Sequence, residues 1–293
     1  MKKILIFFML VFTSILSYTK TVITGTQAMY TFTSMLTKDT DIKVKSLFET
    51  NASMSYDQIQ ALNNVDKNEY KDVVAVVDLQ RVWVRDSLYE FARRENIRTV
   101  EIDGSYSYQD NSSLALLINN YNFGTEKDQT NPYVWLDLTN ASKMIQIIGH
   151  DLAKIFPEDA IKINDNLQKA LTQIEKLAQE YNSINTLDGA IVLSEDLNYL
   201  VTYLNIYSTY VDISTLNVKN IKKIMKDTDL KVFLTDKALK REIENEIKKN
   251  GGTVVVLRTG NLPVEDENDD ELMAKDGLIQ IYNDNLTKLK NIK

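Results

Sequence analysis

The sequence predicts an α/β protein of two lobes with parallel sheets, joined by one long bridging helix. Three observations carry this reading. Short apolar runs alternate with amphipathic stretches in both halves of the 293-residue chain, the order expected of parallel sheets flanked by helices. A single apolar stripe at helical spacing separates the halves. The length left after an N-terminal leader, roughly 270 residues, is enough for two cores rather than one. The expected organisation is a signal peptide over residues 1–20, a first lobe over 21–156, the bridging helix over 157–182 and a second lobe over 183–293.

The leader is read from Lys2 and Lys3, the unbroken apolar run of residues 4–12, and small residues at Thr13, Ser14 and Ser17. The apolar core is too short for an ordinary membrane span, and cleavage is expected between Ser17 and Lys20. Strands follow at 21–24, 42–48, 73–77 and 99–102. Of these, residues 73–77 form a continuous apolar run that reads as a strand buried on both faces. Amphipathic helices are expected at 28–36, 55–62 and 84–95. The second half repeats the theme, with strands at 190–193, 210–213, 231–234 and 253–257 and helices at 197–204, 218–226 and 237–250. Gly251-Gly252 closes the last of these helices.

The bridging helix is the clearest element. Pro157 is a favoured first-turn residue. Ala160, Ile163, Leu167, Ala170, Ile174, Leu177 and Tyr181 then recur at alternating spacings of three and four. One helix face of about 25 residues, on the order of 37 Å long, accounts for them. A single stiff helix between lobes resists wide hinge closure.

Composition excludes several functions. The chain has no cysteine, so disulfides, cysteine metal sites and a lipid-modified N-terminal cysteine are ruled out. Its 34 basic and 41 acidic residues give no reason to expect nucleic acid as a partner. One histidine and no cysteine leave no nucleophilic triad, and the scattered glycines form no phosphate-cradling loop.

Asn131-Pro132-Tyr133-Val134-Trp135-Leu136-Asp137 resembles the Asn-Pro-His-x-Trp-Leu-Asp motif of the metal-binding solute-binding proteins of zinc and manganese ABC importers. Asn140-Ala141 and Pro157-Glu158-Asp159-Ala160 follow it as in that family. Residues 57–62, Ser194-Glu195-Asp196 and the closing segment 282–289 add further matches. The resemblance spans the mature chain and implies two α/β lobes with a metal ion between them. It also implies an ABC permease and its ATPase as partners, a periplasmic location and no enzymatic activity. The protein is expected to act as a monomer, free in the periplasm rather than tethered as a lipoprotein.

The family holds its ion with two histidines, then a histidine or glutamate, then an aspartate, a set suited to zinc or manganese. This chain departs from it. The first position falls in the short loop of residues 49–54, whose only carboxylate is Glu49. The second is Tyr133, a neutral phenol and a poor ligand for either ion. The third is Glu195, which matches the glutamate of manganese-type members. The fourth falls in Leu257-Arg258-Thr259-Gly260, where no aspartate remains. Three readings follow for the cleft. It binds a divalent cation through Glu195 and Glu49 with water; it binds a ferric or chelated metal, or an organic solute; or the scaffold has lost solute binding and serves in protein interaction or adhesion.

The remaining features read as structural. His150 falls off the apolar stripe of its helix and is expected at the surface. The acidic run 265–271 lacks the spacing of a calcium loop, although it could supply a substitute carboxylate. Trp135 is expected to pack where the first lobe meets the long helix. Tyr106, Tyr108, Tyr121 and Tyr133 suit core packing, or a cleft for something larger than a bare ion.

Overall fold

The computed structural model describes residues 20–48, 54, 58–107, 112–120, 129–184, 187–260, 264–265 and 271–292. The leader, Glu49, Tyr108, Tyr121 and residues 266–270 of the acidic run lie outside them.

Two four-stranded parallel sheets organise the chain. The first has the order β2-β1-β3-β4, with β1 at Thr21–Thr24, β2 at Lys43–Ser46, β3 at Val73–Asp78 and β4 at Val100–Asp103. Helices α1 (Gln27–Leu36), α2 (Gln58–Asn63) and α3 (Leu88–Glu95) connect these strands. A small hairpin, β5 (Tyr106–Ser107) with β6 (Ser112–Ser113), follows. Then come α4 (Leu138–Ile155) and the long α5 (Ala160–Asn182). The second sheet has the order β10-β9-β7-β8, with β7 at Gly189–Val192, β8 at Tyr207–Tyr210, β9 at Val232–Thr235 and β10 at Thr253–Val256. Helices α6 (Asn198–Tyr203), α7 (Ile221–Thr228) and α8 (Arg241–Lys249) connect them. The short pair β11 (Val264–Glu265) and β12 (Glu271–Leu272) precedes the last helix, α9 (Gly277–Lys290). Each sheet reverses its strand order once, between β1 and β3 and between β7 and β9. Open α/β sheets bind ligands beyond the carboxyl ends of the strands at such points.

The stripe read for α5 is its buried face: Ile163, Leu167, Ala170, Ile174, Leu177 and Tyr181 are all buried. The helix starts at Ala160 rather than Pro157, because residues 157–159 form a turn, with Ala160 N–H donating to Pro157 O at 3.3 Å. Asp159 and Glu158 instead hold Lys20 at 2.7 and 2.8 Å, pinning the start of β1 to the start of α5. Their hydrogen bonds raise the Lys20 pKa and lower that of Glu158. Asn166, also buried, donates to Leu36 O at 3.0 Å and Lys38 O at 2.7 Å, satisfying carbonyls left open at the end of α1.

Other departures have local causes. The strand expected at 210–213 lies at Tyr207–Tyr210, and Ile213–Thr215 is a 3₁₀ turn. Asp212 accepts from Ser214 N–H at 2.7 Å and caps that turn, while Tyr207, on an edge strand, is exposed. Helix α3 begins at Leu88 because residues 79–87 make a turn through Trp83 N–H to Leu79 O at 2.8 Å and Asp86 N–H to Trp83 O at 2.9 Å. Gly251 has φ +78°, the left-handed conformation expected just past α8.

Among the described residues one apolar cluster joins both sheets through α5, and two smaller ones back the sheets, around Ile23, Val76 and Leu88 in the first and around Ile191, Phe233 and Ile247 in the second. The joining cluster includes Val22 and Val77 of the first sheet, Trp135, Ile174 of α5, Ala190 and Val192 of β7, Leu257, and Leu286 of α9. Helix α9 and the residues before it return to α1. Leu278 N–H donates to Thr31 Oγ1 at 3.1 Å, and Gln27 exchanges two bonds with the Ala274 backbone at 2.6 and 3.1 Å.

Candidate metal-binding site between the lobes

Glu195 lies just beyond the carboxyl end of β7, where the second sheet reverses its order. Ser194 turns the chain there by accepting from Asp196 N–H at 3.3 Å, and a short 3₁₀ segment, Glu195–Leu197, carries Glu195. Only 6% of Glu195 is exposed. Tyr133 comes from the other side, in the segment between the first sheet and α4, and is equally buried.

Asn131 joins the two. It is fully buried. Its Oδ1 accepts from Tyr133 N–H at 3.0 Å, and its Nδ2 donates to Glu195 O at 2.7 Å and to Asn120 Oδ1 at 2.9 Å. One amide therefore fixes the backbones of both candidate ligands, although 64 residues separate Asn131 from Glu195.

Tyr210, at the end of β8, belongs to the same neighbourhood and was not singled out from the sequence. Burial raises its pKa, the Glu195 charge raises it further, and Ser208 opposes both. Its phenol is held neutral beside the carboxylate, and that favours a hydroxyl donor over a phenolate ligand.

Trp135 anchors the motif in the apolar cluster that also holds the buried face of α5. Its Nε1 donates to Thr259 O at 2.7 Å, and Tyr282 Oη donates to Trp135 O at 2.6 Å. Tyr181 of α5 then donates to Tyr282 O at 2.7 Å. The long helix thus reaches Trp135 through α9. Gly260 has φ +84°, and a Cβ there would lie 3.0 Å from Trp135 Nε1, so glycine permits both the turn and the close approach. Trp135→Phe keeps most of the ring and removes the bond to Thr259. A loss of about 1–3 kcal/mol in urea denaturation is expected from the carbonyl left unpaired, and an unchanged midpoint would show the bond carries no stability.

The fourth position is also built, but without a carboxylate. Arg258 follows β10, and its backbone is clamped by Asn285, whose Oδ1 accepts from Arg258 N–H at 2.8 Å and whose Nδ2 donates to Arg258 O at 2.7 Å. Glu49 lies outside the described residues. Among the described residues no three His, Cys, Asp or Glu side chains form a group able to hold a metal ion. His150 is exposed on α4. Tyr106 is half-buried under the Arg81 guanidinium, 4.0 Å above its ring.

Comparison with known proteins places this arrangement. The family described as zinc-uptake complex component A, periplasmic (ZnuA), matches residues 22–292. An uncharacterized protein of Rickettsia prowazekii (strain Madrid E) is 22% identical over 280 residues, covering 93% of this chain and 85% of its own. Among solved structures, the metal-dependent lipoprotein YcdH of Bacillus subtilis superposes with a TM-score of 0.72 at 18% identity, over 92% of this chain and 98% of its own. The Zn(II)-bound ZnuA-like domain of Streptococcus pneumoniae AdcA does so with a TM-score of 0.70 at 15% identity, over 92% and 97%. Fold and family match thus define a two-lobed solute-binding protein of the metal-importer class. The chain belongs to the ZnuA family, whose members are periplasmic metal-binding components of ABC importers. No described helix is long and apolar enough to cross a membrane.

Proposed function

We propose that this protein captures one divalent metal ion between its lobes, with Glu195 as the principal ligand, and delivers it to an ABC permease driven by its ATPase. The observation that carries this is the Asn131 amide, which fixes Tyr133 and Glu195 together at the switch point of the second sheet. Tyr133 supplies a neutral oxygen, Glu49 the second carboxylate, and water completes the shell. Zinc and manganese both suit carboxylate and neutral oxygen donors, and fewer charged ligands mean weaker holding than a full histidine set gives. The protein carries cargo rather than turning it over. In this reading the leader is removed, no lipid anchor is attached, and the lobes divide near residues 157 and 182 about α5.

Calorimetric titration of the mature protein with zinc, manganese and iron salts, beside Glu195→Ala, tests the reading. The expected result is one-to-one binding of zinc or manganese that weakens by at least about tenfold in the variant, roughly 1.4 kcal/mol or more. No binding by any of these ions, or binding that Glu195→Ala leaves unchanged, contradicts it.

A further inference from the structure

The carboxyl edge of the first sheet buries more negative charge than it neutralises. Asp78 ends β3 at the point where that sheet reverses its order. It is fully buried, and neither carboxyl oxygen has a hydrogen-bond partner. The Gln80 amide is directed toward it without closing a bond. Asp86, in the turn that follows, is also fully buried. Its Oδ2 accepts from Leu79 N–H at 3.2 Å and its Oδ1 from Leu88 N–H at 3.4 Å. The Gln58 side chain, at the start of α2, adds a further bond to Asp86 while its Oε1 accepts from Ser87 N–H at 3.2 Å. The Asp86 carboxylate and the Gln58 amide together brace α2, the β3–α3 turn and the start of α3.

The charged groups around them do not help. Asp86, Glu101 and Asp103 all act on Asp78, and Asp103 acts on Asp86. Glu90 and Asp103 act on Glu101, and the Arg81 charge falls on Asp103. Asp103 is already engaged: its Oδ1 accepts from Ser105 N–H and Oγ–H at 2.8 and 2.5 Å, and its Oδ2 from Arg81 N–H at 2.8 Å. A metal ion is a poor answer to this surplus, because the oxygens of Asp86 and Asp103 already accept hydrogen bonds and no metal-holding group forms there among the described residues. A proton needs only one free oxygen, and Asp78 has two.

We propose that Asp78 and Asp86 form a buried carboxyl pair that keeps a resident proton on the two open oxygens of Asp78, and that this proton tightens the carboxyl edge of the first sheet. Burial drives the effect. It raises the Asp78 carboxyl well above the usual carboxylate range and pushes Asp86 up to about 7. Both folded values exceed the unfolded value of about 3.9. The stabilisation is therefore fully present below about pH 4 and is lost as pH rises, through about 7 for Asp86 and further up for Asp78.

Thermal denaturation of the metal-free mature protein at constant ionic strength, with infrared difference spectra of its carboxyl groups, tests this. The midpoint is expected to fall by about 5 °C or more between pH 5.5 and 8.5, and Asp86→Asn should flatten that slope. A protonated-carboxyl band should persist at pH 7 and disappear in Asp78→Asn. A wild-type spectrum with no protonated carboxyl at pH 7, or an Asp86→Asn slope equal to wild type, overturns the proposal. The wild-type spectrum decides the matter even if a variant fails to fold.

Discussion

Tyr133→His is expected to raise zinc affinity by about 100-fold, on the order of 2.7 kcal/mol. The substitution restores an imidazole where the family motif places one. Position 133 is already buried, and its backbone is held by Asn131, so the new side chain starts from a fixed backbone. Imidazole nitrogen binds zinc at about 2.0–2.1 Å and is a far better donor than a neutral phenol. The gain carries a pH signature. Zinc needs the neutral ring, so the added affinity should fade as pH drops below about 6.5, while the wild-type protein shows no such step. Competition titrations against a chromophoric chelator at pH 7.5 and 5.5 read both effects. Equal affinity in variant and wild type would mean that side chain 133 does not face the ion.

Asn131→Leu is expected to be the most damaging single change at the site. The leucine is close in size but can neither accept from Tyr133 N–H nor donate to Glu195 O and Asn120 Oδ1. Three buried polar groups lose their partner, each at a cost of about 1–3 kcal/mol. A total near 3–5 kcal/mol is expected in urea denaturation, since such terms do not add fully. Any folded fraction should also bind the metal more weakly, because Glu195 and Tyr133 lose their common tether. A loss below about 1 kcal/mol would mean that water replaces the amide and that Asn131 is not the device that positions the ligands.

Much of the fold was legible because local rules and tertiary packing agree. The α5 stripe from Ile163 to Tyr181 and the apolar run 73–77 both became buried faces, and Gly251 took the conformation a helix end asks for. The errors fall where a side chain overrode the pattern. Asp212 capped a turn inside the expected second strand of the second lobe, and the turn around Asp86 delayed α3.

The site was only partly legible. Glu195 and Tyr133 could be found from motif positions, because the motif carries chain-local information. Asn131 opens the same motif, but its role as the tether of both ligands does not show there. Its bond to Glu195 joins residues 64 apart and leaves no local trace. Trp135 likewise reads as core, but sequence alone gives neither its bond to Thr259 nor its link to α5 through Tyr282. Asp78 looks like the polar end of a strand. Only the packing around β3 shows that it never reaches water.

The most direct test of the central claim is anomalous scattering at the zinc absorption edge from crystals of the mature protein grown with zinc. The account predicts one strong peak between the lobes, about 2.0–2.2 Å from a carboxylate oxygen of Glu195, with Tyr133 beside it. Peaks confined to the surface, with Glu195 unengaged, would contradict it.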